Sequence, residues 1–188
     1  MDVGKTLNVR DRKHWRSWLS KNYSTAKEIW LIYYRKDSGR KRISYNDAVE
    51  EALCYGWIDS IAKPRDEQSW VQRFSPRRPK SILSELNRER IRQLIKAKKM
   101  TKAGLNSVAH HLTRHTQRPK RFSIPKDILA AIRKNPAAWK NFQTFPKTYK
   151  EIRVAWIDGS RNRPDFFKKR LNYFISMTEK DKRFGTIR

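Results

Sequence analysis

Helical stripes and strand-like apolar runs interleave in the first part of this chain, and only the helical period continues after it. Trp15, Trp18 and Leu19 recur at i, i+3 and i+4 behind Asp11, which predicts a helix capped by that carboxylate. "EIWLIYYR", 28–35, is an unbroken aromatic and β-branched run closed by "DSGR", the pattern of a strand buried on both faces. Ser44, with Asp47 three places on, opens a helix whose stripe is Val49, Ala52 and Leu53, and Gly56 stands where a left-handed terminator belongs. "WIDSIA" and "SWVQRFS" predict two hairpin strands flanking a longer loop, "KPRDEQ", with Pro79 closing the second.

From there the period is helical. Leu83, Leu86, Ile91, Leu94 and Ile95 mark one long helix, and Leu105, Val108, Ala109 and Leu112 another. "RHTQRPKRFS", 114–123, is basic, polar and broken by a proline, so it reads as a linker. Pro125, Pro136, Pro146 and Pro164 each precede a helical stripe, as proline does in a first turn, where its missing N–H has no partner to lose. The expected fold is α+β: a small βαββ-type antiparallel sheet covered by helices (1–113), a linker (114–123), and a helical C-terminal module (124–188) packed on the first part.

Charge changes this picture. Lys and Arg number 45 against 18 acids, a formal +27 over 188 residues. Residues 95–188 carry 24 basic and 6 acidic side chains, against 21 and 12 before them. A field of that sign attracts an anionic small molecule or a polyanion. Nucleic acid is one such partner, bound without base specificity, because no zinc-finger spacing or aromatic RNA-binding strand is present. Cys54 stands alone, so no internal disulfide can form and a reducing, cytoplasmic setting is the expectation. No apolar run approaches the ~20 residues of a membrane-spanning helix.

Candidate chemistry is sparse. "VGKT" lacks the upstream glycine of a phosphate loop, and no cofactor motif is found. His111 and His115 share a helix face beside His110, but no HExxH glutamate and no third ligand accompanies them, so they read as surface or capping histidines rather than a zinc site. Cys54 lies near a helix C-terminus, which does not favour a thiolate. "WID" occurs at 57–59 and again at 156–158, but in different local settings, and the echo reads as coincidence. "RFSPRRPKS", 73–81, sets Arg73, Arg77, Arg78 and Lys80 on a proline-stiffened segment suited to gripping carboxylate or phosphate, or to a salt bridge with Asp59. If the strand faces coincide, Trp57, Asp59 and Ile61 meet Trp70, Gln72 and Phe74, and a carboxylate there needs a partner. The ligand-binding set expected on these grounds is Trp57, Asp59, Ser60, Trp70, Arg73, Arg77 and Lys80. No recognisable nucleophile–base–orienter set accompanies them, so a binding role ranks ahead of an enzyme of unknown reaction, which stays open as an alternative.

The combination "YNDAVEEALCYGWIDS…RFSPRRPKS", with the tail from "IPKDILAAIRK" to "RLNYFI", resembles the YdeI/OmpD-associated, or bacteriocin-protection, family. The likeness runs from about Asp11 to Leu105 and through the tail. It implies a bacterial stress-response protein linked to resistance against bacteriocins and cationic peptides, without an established reaction or ligand. It marks Gly56, Trp57, Asp59, Ser60, Arg73, Phe74, Pro76, Arg77, Pro79, Lys80 and Ser81.

Overall fold

The computed structural model describes residues 2–79, 81–116 and 122–185. Its strands are β1 (Thr6–Asn8), β2 (Ile29–Tyr34), β3 (Trp57–Asp66) and β4 (Ser69–Pro76). Its helices are α1 (Arg12–Asn22), α2 (Tyr45–Cys54), α3 (Glu85–Lys96), α4 (Lys102–Thr116), α5 (Lys126–Arg133), α6 (Pro136–Thr144), α7 (Lys147–Asp158) and α8 (Pro164–Glu179). The chain divides into two compact units, Met1–Ile82 with Arg90–Gln117, and Leu83–Glu89 with Arg118–Arg188.

In the first unit the local signals work as read. The Asp11 carboxylate accepts from His14 N at 2.9 Å and starts α1. The Ser44 hydroxyl accepts from Asp47 N at 3.1 Å and starts α2. All six residues of β2 are buried. Gly56, at φ +76°, turns the chain from α2 into β3.

The sheet runs β1-β2-β4-β3, with β4 antiparallel to both neighbours. One face carries Ile29, Leu31 and Tyr33 opposite Phe74, Gln72 and Trp70. Helix α1 covers it: Trp15 meets Phe74 edge-on at 5.5 Å, Trp18 meets Trp57 at 5.7 Å, and the Trp15 indole donates to Ala48 O at 3.0 Å. The other face buries Trp30, Ile32, Tyr34 and Val71, with Lys63 6.0 Å from the Trp30 ring and Arg40 4.8 Å from the Tyr34 ring. Their aliphatic stems can shelter the rings while the charges stay wet.

Three expectations change. The sheet is mixed rather than wholly antiparallel, because β1 pairs in parallel with β2; three residues are too short to display a period. The hairpin loop is shorter than expected, since β3 continues through Pro64 to Asp66 and only Glu67 and Gln68 turn. The ladder tolerates that proline because β3 is the sheet edge. Helix α4 extends to Thr116, into the segment expected as linker, of which residues 117–121 lie outside the described residues.

The second unit is helical. Its core gathers Ile128, Ile132, Phe142, Phe145, Tyr149, Val154, Ile157 and Phe174, each large side chain contributing about 1.5–3 kcal/mol on burial. Phe142 and Phe174 cross at 90° and 6.0 Å. The four prolines fall at helix starts, as the N-caps of α5 and α7 and in the first turns of α6 and α8. The echoed "WID" closes α7 here and opens β3 in the other unit.

Candidate functional site

Strand register decides where the expected site residues go. Asp59 pairs with Phe74 and therefore lies on the helix-covered face, as anticipated. Trp57 is buried beside it, its indole donating to Tyr23 O at 3.0 Å. A bulge between Asp59 and Ala62 then breaks the alternation. Ala62 and Pro64, not Ile61, oppose Gln72 and Trp70, and Ile61 is 42% exposed. Trp70 shares the face and stacks on Tyr33 at 4.4 Å and 11°.

Arg73 is one residue from Phe74 and so belongs to the opposite face. Its guanidinium pairs with Glu28 at 2.7–2.8 Å and donates to the Ser60 hydroxyl at 3.2 Å and the Ser75 hydroxyl at 3.4 Å. Bonds from the Trp30 indole first, and Arg73 second, hold the Glu28 carboxyl below its usual range. Arg77 is 9% exposed and donates to Ser81 O at 2.7 Å, a carbonyl that His111 Nε2 also reaches at 2.9 Å. Lys80 lies outside the described residues. The expected set is thus divided: Trp57, Asp59 and Trp70 share one face, Ser60 and Arg73 meet on the other, and Arg77 braces the chain after β4.

The partner that Asp59 does acquire comes from α2. Tyr45 Oη donates to Asp59 Oδ2 at 2.5 Å. Tyr33 is wholly buried, its hydroxyl has no hydrogen-bond partner among the described residues, and the charges of Tyr45 and Asp59 act on it. Burial raises the Tyr33 phenol well above its usual range, and both charges add to the rise. The same causes raise Tyr45, burial first and then Asp59. Arg90 on α3 completes the group. It donates to Asn46 Oδ1 at 2.7 Å, burial lowers its pKa, and Tyr45, Glu50 and Asp59 act on it in the opposite sense.

This cluster holds a carboxylate, a buried cation and two phenols that stay protonated. Such phenols donate hydrogen bonds; they are poor general bases near neutral pH. Cys54 is not poised as a nucleophile either. Burial, with Glu51, pushes the Cys54 thiol up to about 11. Among the described residues no group of His, Cys, Asp and Glu could hold a metal ion.

Of the cluster, only Asp59 stands out in the sequence as a candidate. Arg90 leaves a readable trace, because it interrupts the stripe of Leu86, Ile91 and Leu94 with a charge. Tyr33 leaves none, since a tyrosine in an apolar strand reads as core.

Residues 7–107 match the family described as "Domain of unknown function (DUF8412)". Residues 121–181 match the family described as "Bacteriocin-protection, YdeI or OmpD-Associated". No curated protein and no solved structure matches the chain. Among the described residues no helix is long and apolar enough to cross a membrane.

Proposed function

The chain belongs to the family described as a domain of unknown function (DUF8412), through residues 7–107, and bears a bacteriocin-protection, YdeI or OmpD-associated region at 121–181; from that premise we propose that it is a non-enzymatic protection protein that works by binding a small zwitterionic ligand at Tyr33, Tyr45, Asp59 and Arg90. The observation that carries this reading is the unmade hydrogen bond of Tyr33. A buried hydroxyl without a partner costs about 1–3 kcal/mol, and native proteins keep few of them.

The signs of charge select the ligand. A protein of net charge +27 repels cationic peptides, so direct capture of a cationic toxin is disfavoured. Within the cluster, Asp59 suits an ammonium group, while the Tyr33 hydroxyl and the field of Arg90 suit a carboxylate or phosphate. Tyr45 is the movable member: it is 41% exposed, opens α2, and places its phenol on the carboxylate. A ligand ammonium would take over the Asp59 oxygen as Tyr45 swings away.

The test is the thermal shift produced by zwitterions (amino acids and betaines) against that produced by acetate and inorganic phosphate. Zwitterions are expected to raise the melting temperature of the wild type and to leave Asp59→Asn unmoved, while simple anions move neither. Equal shifts in wild type and Asp59→Asn would remove the site from consideration.

A further inference from the structure

The turn between α3 and α4 breaks two local rules at once. Lys96, Lys98, Lys99 and Lys102 are all exposed there, and no acidic residue occurs between Glu89 and Asp127. The turn closes with the paired bonds of a Schellman motif, Lys99 N to Leu94 O and Lys98 N to Ile95 O, both 2.9 Å. The residue in the left-handed position is Lys98, at φ +54°, where glycine would carry no Cβ penalty. Helix α4 then begins with Lys102 and has no acid in its first turn. A cation at that end opposes the helix dipole.

The turn is nevertheless held firmly. The Thr101 hydroxyl donates to Cys54 O at 2.6 Å and accepts from Gly104 N at 3.2 Å, and Arg16 donates to Lys99 O at 3.0 Å. Arg12 and Arg16 engage Asp47, Glu50 and Glu51, so the carboxylates of α2 are already committed. Four lysines are therefore displayed from a fixed backbone at a local cost to folding, the pattern expected where charge serves binding.

We propose that the α3–α4 turn is a contact surface for the phosphate backbone of nucleic acid. Phosphate spacing suits several separate ammonium groups, each releasing counterions on contact. No Trp, Tyr or Phe occurs between Phe74 and Phe122, so the turn itself supplies no ring to stack on a base or to anchor in a lipid interface. The exposed large apolar side chains that α3, the turn and α4 contribute among the described residues are Ile95 and Leu105. Binding is sequence-independent and set by salt.

The experiment compares two full-length variants of equal net charge. One carries Lys→Gln at 96, 98, 99 and 102, the other Lys→Gln at 140, 147, 168 and 169, all exposed on the second unit. The probe is a short labelled duplex DNA, titrated between about 50 and 200 mM salt. The turn variant is expected to bind about tenfold or more weakly than its matched control, and to flatten the log–log salt slope by about 0.9 for each phosphate it no longer neutralises. Lys98→Gly separates fold from function: it is expected to raise the melting temperature and still weaken binding. Equal weakening in the two charge-matched variants would overturn the proposal. So would vesicles of anionic phosphatidylglycerol retaining the protein more tightly than the duplex does.

Discussion

Gly104→Ala is expected to cost the first unit about 3 kcal/mol or more. A Cβ there would stand 2.7 Å from the Cys54 carbonyl carbon and 2.9 Å from Leu53 O, and closer still to Cys54 O. These are backbone atoms and cannot rotate aside. Relief requires α4 to lift from the end of α2, which stretches the two bonds that Thr101 makes to Cys54 O, at 2.6 and 3.0 Å. Overpacking alone costs about 1–3 kcal/mol and each broken bond about 1 kcal/mol. Gly39→Ala provides the contrast: its φ is +65° but no atom lies within 4 Å of the added methyl, so only backbone strain of about 1–2 kcal/mol applies. Urea denaturation of both variants checks this. Gly104→Ala no less stable than Gly39→Ala would mean that α4 does not sit on α2 this closely.

Stability should fall steeply at alkaline pH. The Cys54 thiol is pushed up to about 11, first by burial and then by Glu51, against the pull of Arg16. Its ordinary value is about 8.5–9. A group raised in the folded state contributes stability that is fully present below its unfolded pKa and is lost as pH rises through the folded one. Cys54 therefore contributes about 2–3 kcal/mol that disappears between roughly pH 9 and 11. Tyr33 and Tyr45, raised in the same direction, extend the loss upward. Cys54→Ala should flatten the first part of this limb, read as the difference between the two proteins in urea unfolding from about pH 8 to 11. Parallel limbs would show that the thiol titrates normally.

Helix starts, the doubly buried β2 and the Gly56 terminator are legible in sequence because each depends on neighbours within about four residues. The site is legible only to the point where two strands have to be brought together. Placing Asp59 opposite Phe74 already implies, by the two-residue period, that Arg73 faces the other way; pairing both arginines with Asp59 overlooks that consequence. The bulge after Asp59 has no local signature, so simple alternation puts Ile61 on a face it leaves. Tyr45 bonds to Asp59 from α2 and Arg90 on α3 feels its charge, and only tertiary packing brings either about. The resemblance along most of the chain resolves into two regions: the YdeI or OmpD-associated match falls on 121–181, while the residues around "GWIDS" fall in the match at 7–107.

The central claim is that the cluster around Asp59 is built to receive a ligand rather than to hold the fold. Tyr33→Phe tests it most directly, because Phe keeps the ring that stacks on Trp70 and deletes only the hydroxyl. The measurement is unfolding free energy by urea denaturation, with and without the zwitterion giving the largest thermal shift on the wild type. Without it, Tyr33→Phe should be more stable than wild type by about 1 kcal/mol, since a buried donor with no partner has been removed. With it, the wild type should gain stability and Tyr33→Phe should gain far less. A Tyr33→Phe protein that is destabilised, yet responds fully to the zwitterion, would contradict the account.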